Sequence, residues 1–151
     1  MKNIIISLAA LACVAIPVQA HAGAVAVCIQ KEKNRAGNYY DSEYFLRNGK
    51  SKNVDGFVAL RAARADHRES YDSGTPYCRH NGSELSQGGY FILLQGGRKK
   101  DSDGAHYNRW ALGFGKDRAA ALSDAKNELR GRDSYWDEAK HGYKISDEDE
   151  I

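Results

Sequence analysis

Two apolar hexads constrain the fold of this 151-residue chain more than any other feature. They are VAVCIQ at residues 25–30 and YFILLQ at residues 90–95. Neither hexad alternates apolar with polar residues, as a strand with one solvent-facing side does. A continuous apolar run of this length predicts a strand that is covered on both faces. Two helices can cover one face, and the second face is covered either within the chain or by a partner.

The chain follows the same plan after each hexad. A strand-like stretch comes next (YYDSEYFLRN or HYNRWALGFG), followed by an Ala-rich helical stretch and a short polar–apolar segment. An offset of 66 positions places Tyr44 on Trp110 and Leu46 on Leu112, which lie on one face of an alternating strand. The sequence therefore predicts an internal ββαβ repeat.

The repeated order of strand, strand, helix and strand predicts the fold class. We expect a single α+β domain over residues 21–145, with repeat units at about 24–80 and 89–145. The predicted architecture is a two-layer sandwich, in which two helices cover one face of a mainly antiparallel sheet. Asn53 and Asp117 are the predicted N-caps of the two helices.

The first 20 residues have the pattern of a secretory signal peptide. A positively charged start precedes an apolar run from Ile4 to Val18, and small residues place the cleavage site after Ala20 or Ala22. The run is shorter than the roughly 20 residues that a spanning helix needs. A lipid-modified Cys13 is a second interpretation, but its neighbours match a lipoprotein site poorly. We therefore expect a secreted or periplasmic protein that leaves the membrane after cleavage.

Size, charge and cysteines narrow the class of the mature protein. Cleavage leaves about 130 residues, enough for one domain with its own core. The formal net charge is +2 for the full chain and +1 once Lys2 is removed with the leader, well short of the basic excess of nucleic-acid binders. Residues 146–151 carry four acids and are predicted to be a disordered tail. Cys28 and Cys78 are the cysteines beyond the leader, and in an exported chain such a pair predicts a disulfide.

No motif in the sequence is specific enough to assign an enzyme. The chain has no G-x-S-x-G elbow and no H-E-x-x-H helix, so we assign no catalytic residue, cofactor or metal. Four histidines, His67, His80, His106 and His141, could support acid–base hydrolysis if two of them met in one cleft. A secreted hydrolase of RNase-like or other type is therefore the alternative function.

Tyrosine is the compositional outlier, with nine residues beside two tryptophans. Aromatic residues on an exposed face are common anchors of protein recognition. The predicted register gives two candidate binding surfaces: the sheet face opposite the helices, and a basic stripe on the first helix. The sheet face would carry Tyr39, Asp41, Glu43, Arg47, Tyr107 and Arg109, and the stripe would carry Arg61, Arg64 and Arg68.

The stretches GAVAV at 23–27 and WALGFGKDRAAALSDAKNEL at 110–129 resemble small exported bacterial domains of unknown function. In those domains a Gly-Ala-Ile-Ala-like strand is followed by an aromatic-Gly strand and an Ala-rich helix. The resemblance covers about half of the mature chain, and this chain lacks their cysteine at the end of either helix. It implies an exported α+β domain and no catalytic residues.

Together these features favour a non-enzymatic binding protein. A small, exported and disulfide-linked chain without a catalytic motif suits an inhibitor or immunity-type protein that blocks another protein. We expect the sheet face to be the binding surface, and we expect neither nucleic acid nor membrane as a partner. A structural, envelope-associated module is a third interpretation. Such a module would form homodimers through the open sheet face.

Overall fold

The computed structural model describes residues 23–35, 37–50, 55–85, 88–98 and 107–151. These residues form six strands and three helices. In chain order they are β1 (Gly23–Lys33), β2 (Tyr39–Lys50), α1 (Gly56–Ser70), β3 (Tyr77–His80), β4 (Tyr90–Arg98), β5 (Tyr107–Gly115), α2 (Arg118–Arg132), α3 (Glu138–His141) and β6 (Tyr143–Glu150). The predicted signal peptide, Asn53, His106 and the side chain of Tyr107 lie outside the described part.

The strands form two antiparallel sheets of three strands each. Sheet A has the order β2-β1-β3, and sheet B has the order β5-β4-β6, so each hexad occupies a central strand. Val27 lies opposite Leu46 in sheet A, and Leu93 lies opposite Leu112 in sheet B, at the predicted offset. The α+β class with antiparallel strands is confirmed, and the internal repeat stays a prediction.

The inner faces of the two sheets pack against each other. Val25, Val27 and Ile29 of β1 share one buried cluster with Phe91 and Leu93 of β4. These residues are every second residue of their strands, as expected when one face of a pleated strand enters a core. The second face of each hexad is therefore covered by the sheet that contains the other hexad.

Each sheet carries its own helix on the outer face. Sheet A packs on α1 and sheet B packs on α2. The contacts join Ala24, Ala26 and Cys28 to Ala59, Leu60 and Ala63, and Ile92 and Leu94 to Ala121 and Ala125. The layer order is thus α1, sheet A, sheet B, α2. It differs from the expected arrangement of two helices on one face of a single sheet, and the face expected to be open is internal.

Both long helices begin at aspartate caps. Asp117 accepts the N–H of Ala120 at 2.8 Å, which confirms the predicted cap of α2. The cap of α1 is Asp55, which accepts the N–H of Val58 at 3.0 Å, and not the predicted Asn53. Each aspartate satisfies one of the N–H groups that a helix leaves free in its first turn.

The acidic end of the sequence forms β6, where a disordered tail was predicted. Glu150 lies opposite Tyr90 of β4, and Ile151 donates its N–H to the carbonyl of Gly89 at 2.8 Å. The strand pairs with the buried β4, whose main-chain groups would otherwise lie unpaired in the interior. The side chain of Glu148 faces outward and accepts hydrogen bonds from Arg118. Main-chain pairing thus orders the segment while Asp147, Asp149 and Glu150 stay exposed to solvent.

The predicted disulfide between Cys28 and Cys78 is confirmed. The two residues lie directly opposite each other on β1 and β3, and they are 50 positions apart in the sequence. The bond therefore fixes the short strand β3 to the centre of sheet A.

A basic cleft beside a buried ion cluster

A β-bulge divides the predicted binding face of β2. Gln30 lies opposite Glu43, but the next residue of β1, Lys31, lies opposite Asp41, so Ser42 is the extra residue. An extra residue reverses the alternation of side chains along a strand. Asp41 therefore turns into the interior, whereas Glu43 faces the layer of α1. The single recognition face predicted from strict alternation is wrong for this reason.

Two residues of the predicted face, Glu43 and Arg47, contact the helix layer: Arg47 contacts α1, and Glu43 contacts Tyr71, the residue after α1. Glu43 accepts a hydrogen bond from the Tyr71 hydroxyl at 2.8 Å. Arg47 donates to the Asp66 carboxylate at 2.5 and 2.6 Å, and this pairing raises the pKa of Arg47 and lowers that of Asp66. These contacts fasten β2 to the helix layer, so they are structural ties.

Asp41 lies fully buried at the centre of an ion cluster. Its Oδ1 accepts hydrogen bonds from Arg109 Nη1 at 3.1 Å and from Arg132 Nη2 at 3.0 Å. Its Oδ2 accepts the main-chain N–H of Trp110 at 2.8 Å. Arg109 also donates to the carbonyl of Tyr39 at 2.6 Å. Two guanidinium groups share one carboxylate, so the cluster carries an excess positive charge.

Arg132 was not among the residues predicted from the sequence. It ends α2, donates to the carbonyl of Trp110, and places its guanidinium carbon 4.1 Å from the centre of the Tyr77 ring. Burial lowers the pKa of Arg132, and the charge of Asp41 opposes that shift. Its partner is 91 positions away in the sequence, so local sequence patterns hold no signal for the contact.

A second ion cluster adjoins the first. The Tyr77 hydroxyl donates to Glu128, whose carboxylate also lies 3.4 Å from Arg79. Arg79 pairs in turn with Asp124 at 3.0 Å. Loss of solvent, followed by the bond to Glu128, raises the pKa of Tyr77 to about 12. The hydroxyl therefore stays protonated into more alkaline solution than an unperturbed tyrosine does, and it acts as a donor.

The two clusters also supply hydrogen-bond partners for main-chain groups on the outer edge of β5. Edge strands present free N–H and C=O groups that can pair with another chain. Four such groups of β5 are hydrogen-bonded to charged side chains of β2, β3 and α2. The pairs are Trp110 with Asp41 and Arg132, Leu112 with Arg79, and Phe114 with Asp124. The clusters thus join the two sheets and close this edge.

A cavity of about 750 Å³, the large cleft, opens beside Asp41 and its two arginines. It includes two predicted binding residues, Tyr39 and Arg109. Lys31 reaches over the Tyr77 ring with its Nζ 5.4 Å from the ring centre. The lining residues are Lys31, Tyr39, Gly74, Thr75, Tyr77, Arg109, Gly131 and Arg132. The large cleft therefore combines cations with aromatic rings.

A cavity of about 240 Å³, the small cavity, shares Gly74 and Thr75 with the large cleft. Its other lining residues are Arg64, His67, Arg68, Pro76 and Cys78. All three arginines of the predicted basic stripe are exposed; Arg64 and Arg68 line this cavity, whereas Arg61 is not part of its lining.

The three histidines of the described part have separate structural partners. The bonds join His67 Nε2 to Gln30 Oε1 at 2.7 Å, His80 Nδ1 to the Gly82 N–H at 3.0 Å, and His141 Nδ1 to the Asp137 N–H at 2.8 Å. No hydrogen bond or ring contact joins any two of the three. Within the described residues, no three His, Cys, Asp or Glu side chains form a cluster that could hold a metal ion.

Comparisons of this chain with family models, with curated proteins and with solved structures give no match. The resemblance to small exported bacterial domains stays a prediction. Among the residues that the structure describes, no helix is long and apolar enough to cross a membrane.

Proposed function

We propose that this chain is an exported binding protein, of inhibitor or immunity type, that receives an acidic segment of a partner protein in the large cleft. The carrying observation is that the charged residues of the lining, Lys31, Arg109 and Arg132, are all cations, whereas the carboxylates of the second cluster pair with Arg79 outside the lining. Asp41 neutralises one of the two arginines that it contacts, Arg109 and Arg132, and Lys31 adds a third cation. An excess of positive charge in a cleft attracts an anionic group and orients it.

The aromatic lining supports a protein partner. The side chain of Tyr39 is half exposed in the cleft, and the ring of Tyr77 contacts both Lys31 and Arg132. Tyrosine and arginine are the side chains that most often dominate the energy of protein interfaces. A partner that seats a carboxylate against the arginines could cover these rings with its neighbouring apolar atoms.

The cleft is held by rigid elements, which suits an inhibitor. β1 and β3 are joined by the Cys28–Cys78 bond, and Arg109 and Arg132 are fixed by their bonds to Asp41. A surface that is ordered before binding loses little conformational freedom when the partner docks. Disulfides persist in oxidising compartments, so the bond also supports a secreted or periplasmic location.

The overall charge distribution favours an acidic protein segment over nucleic acid. The net charge of the chain is only +2, and β6 exposes Asp147, Asp149 and Glu150 to solvent. Such a surface repels a long polyanion, whereas a short acidic segment engages only the large cleft. Nucleic-acid binding is therefore an outcome that would count against the proposal.

The test is capture of a partner from native envelope or culture fluid, with the mature protein as bait. Lys31→Glu reverses a charge in the large cleft. Lys50→Glu is the matched control, because it makes the same change on an exposed residue of sheet A outside the cleft lining. The captured protein should bind the Lys31→Glu variant at least about tenfold more weakly, which corresponds to about 1.4 kcal/mol. The Lys50→Glu variant should bind as the wild type does.

Three results would overturn the proposal. One is equal weakening by both variants, which would indicate attraction to net charge alone. Another is recovery of no partner. The third is turnover of nucleic acid, peptide or glycan by the pure protein, which would favour the hydrolase.

A further inference from the structure

We infer that the small cavity is a separate site for a tetrahedral oxyanion, a phosphate or sulfate group. The site does not depend on the proposed function, because its cations, Arg64 and Arg68, belong to α1 and do not line the large cleft. The two cavities share only Gly74 and Thr75.

The first observation is a pair of arginines without counter-charges. Arg64 and Arg68 are four positions apart on α1, so their side chains lie on the same face of the helix. Among the residues that the structure describes, no carboxylate pairs with either guanidinium group. In contrast, Arg47, on the neighbouring strand β2, pairs with Asp66 of the same helix. The small cavity thus concentrates two uncompensated positive charges.

The second observation is the wall opposite the arginines. It includes residues 74–76, Gly-Thr-Pro, of which Thr75 is the residue with a side-chain hydroxyl donor. Gly74 has φ of +105°, a conformation that favours glycine, and it lies against the side chain of Gln30. Gln30 in turn holds His67, another lining residue, through the 2.7 Å bond to Nε2. Gln30 therefore contacts two residues of the lining, Gly74 and His67.

The charge and the donors of the cavity match a phosphate or sulfate group. A guanidinium group binds such oxyanions through two parallel N–H donors, and two of these groups offer two forks. A phosphate monoester carries a charge near −2 at neutral pH, which would balance the two arginines. The cavity of about 240 Å³ has room for the oxyanion and the first atoms of the group that carries it.

The group could belong to a soluble molecule or to a lipid headgroup, since the recognised chemistry is the same. The test is an NMR titration of the mature protein with inorganic phosphate and with sulfate at low ionic strength, with chloride as the reference anion. Vesicles of phosphatidylcholine with and without phosphatidic acid form the second arm. Binding to the phosphatidic acid vesicles, with or without free phosphate, supports a lipid source. Binding to free anion alone supports a soluble source.

We expect saturable shifts at the amides of Arg68 and Thr75. Arg64→Gln and Arg68→Gln should each weaken binding at least about fivefold. Arg61→Gln is the matched control, because it removes the same charge from the same helix without touching the lining. Lys31→Glu should weaken anion binding less than Arg64→Gln or Arg68→Gln does, because Lys31 lies outside the lining of the small cavity, and this difference separates the site from the large cleft. Equal weakening by Arg61→Gln, or no saturable binding of phosphate, sulfate or phosphatidic acid, would overturn the inference.

Discussion

Asp41 accepts the main-chain N–H of Trp110 at 2.8 Å, and this bond joins residues 69 positions apart in the sequence. It connects the edge strand of sheet A to the edge strand of sheet B. The buried carboxylate has a hydrogen-bond partner at each oxygen, as buried polar groups require. The charge that the sequence suggested as part of a recognition surface therefore holds the two sheets together.

Asp41→Asn should destabilise the protein by about 3–5 kcal/mol. The change removes the negative charge that compensates the buried guanidinium groups of Arg109 and Arg132. Urea unfolding of the oxidised protein would measure the loss. Glu43→Gln is the control on the same strand, and it should cost less than about 1 kcal/mol because Glu43 is exposed. Similar losses for both variants would contradict the role assigned to Asp41.

Replacing both cysteines, Cys28→Ala with Cys78→Ala, should lower the free energy of unfolding by about 4 kcal/mol. The estimate follows from the entropy of closing a loop of 50 residues in the unfolded chain. Reduction of the wild-type protein should reproduce the effect, and reductant should leave the double variant unchanged. An unfolding midpoint equal to that of the oxidised wild type would show that the bond adds no stability.

Stability should fall in alkaline solution through Tyr77. Its pKa is raised from 10.0 in the unfolded state to about 12 in the folded state, so folding favours the neutral hydroxyl. The neutral Tyr77 hydroxyl contributes on the order of 2 kcal/mol to the free energy of unfolding. This contribution is fully present below pH 10 and is lost as the pH rises towards about 12. Unfolding of the wild type and of Tyr77→Phe should be compared from pH 8 to 12. Parallel pH profiles for the two proteins would refute this assignment.

His67 should make the protein less stable in mild acid. Burial, assisted by the charge of Arg68, lowers the pKa of His67, and Glu43 opposes the shift. The unfolded chain takes up a proton near pH 6.5, whereas the folded chain does so only at lower pH, so stability decreases as the pH falls through this window. His67→Gln should remove this part of the slope between pH 7.5 and 5. A variant with the wild-type slope would assign the effect to other groups.

Gly113→Ala should weaken the contact between β5 and α2. A methyl group at this position would collide with main-chain atoms of Ala121 and Ala125, which cannot move unless the helix shifts. We expect a loss of about 3 kcal/mol or more in thermal or urea unfolding. Gly97→Ala is the control, because its added methyl group would meet only the carbonyl of His141 at 3.8 Å. A small loss at both positions would show that α2 can move away at little cost.

The sequence predicted the elements better than their arrangement. The hexads, the cap at Asp117 and the disulfide follow from local composition and pairing rules, and the structure contains all of them. A continuous apolar run indicates that both faces of a strand are covered, but it does not indicate which elements cover them. The second sheet was therefore missed, although its presence satisfies the same pattern.

The candidate site was predicted less well because it depends on one irregular residue and on distant partners. Tyr39 and Arg109 do line the large cleft, but Ser42 shifts the register of β2 and sends Asp41 into the interior. Nothing in the residues around position 42 marks the bulge. The contact of Asp41 with Arg132 joins β2 to the end of α2, and only the folded chain brings them together.

The mutual covering of the inner sheet faces has a consequence for how the chain can be divided. A fragment ending after β3 would expose Val25, Val27 and Ile29, and a fragment beginning at β4 would expose Phe91 and Leu93. Each half therefore supplies the apolar surface that buries the inner sheet face of the other half. The two fragments should be poorly soluble when made separately and should reassemble into one native complex when made together.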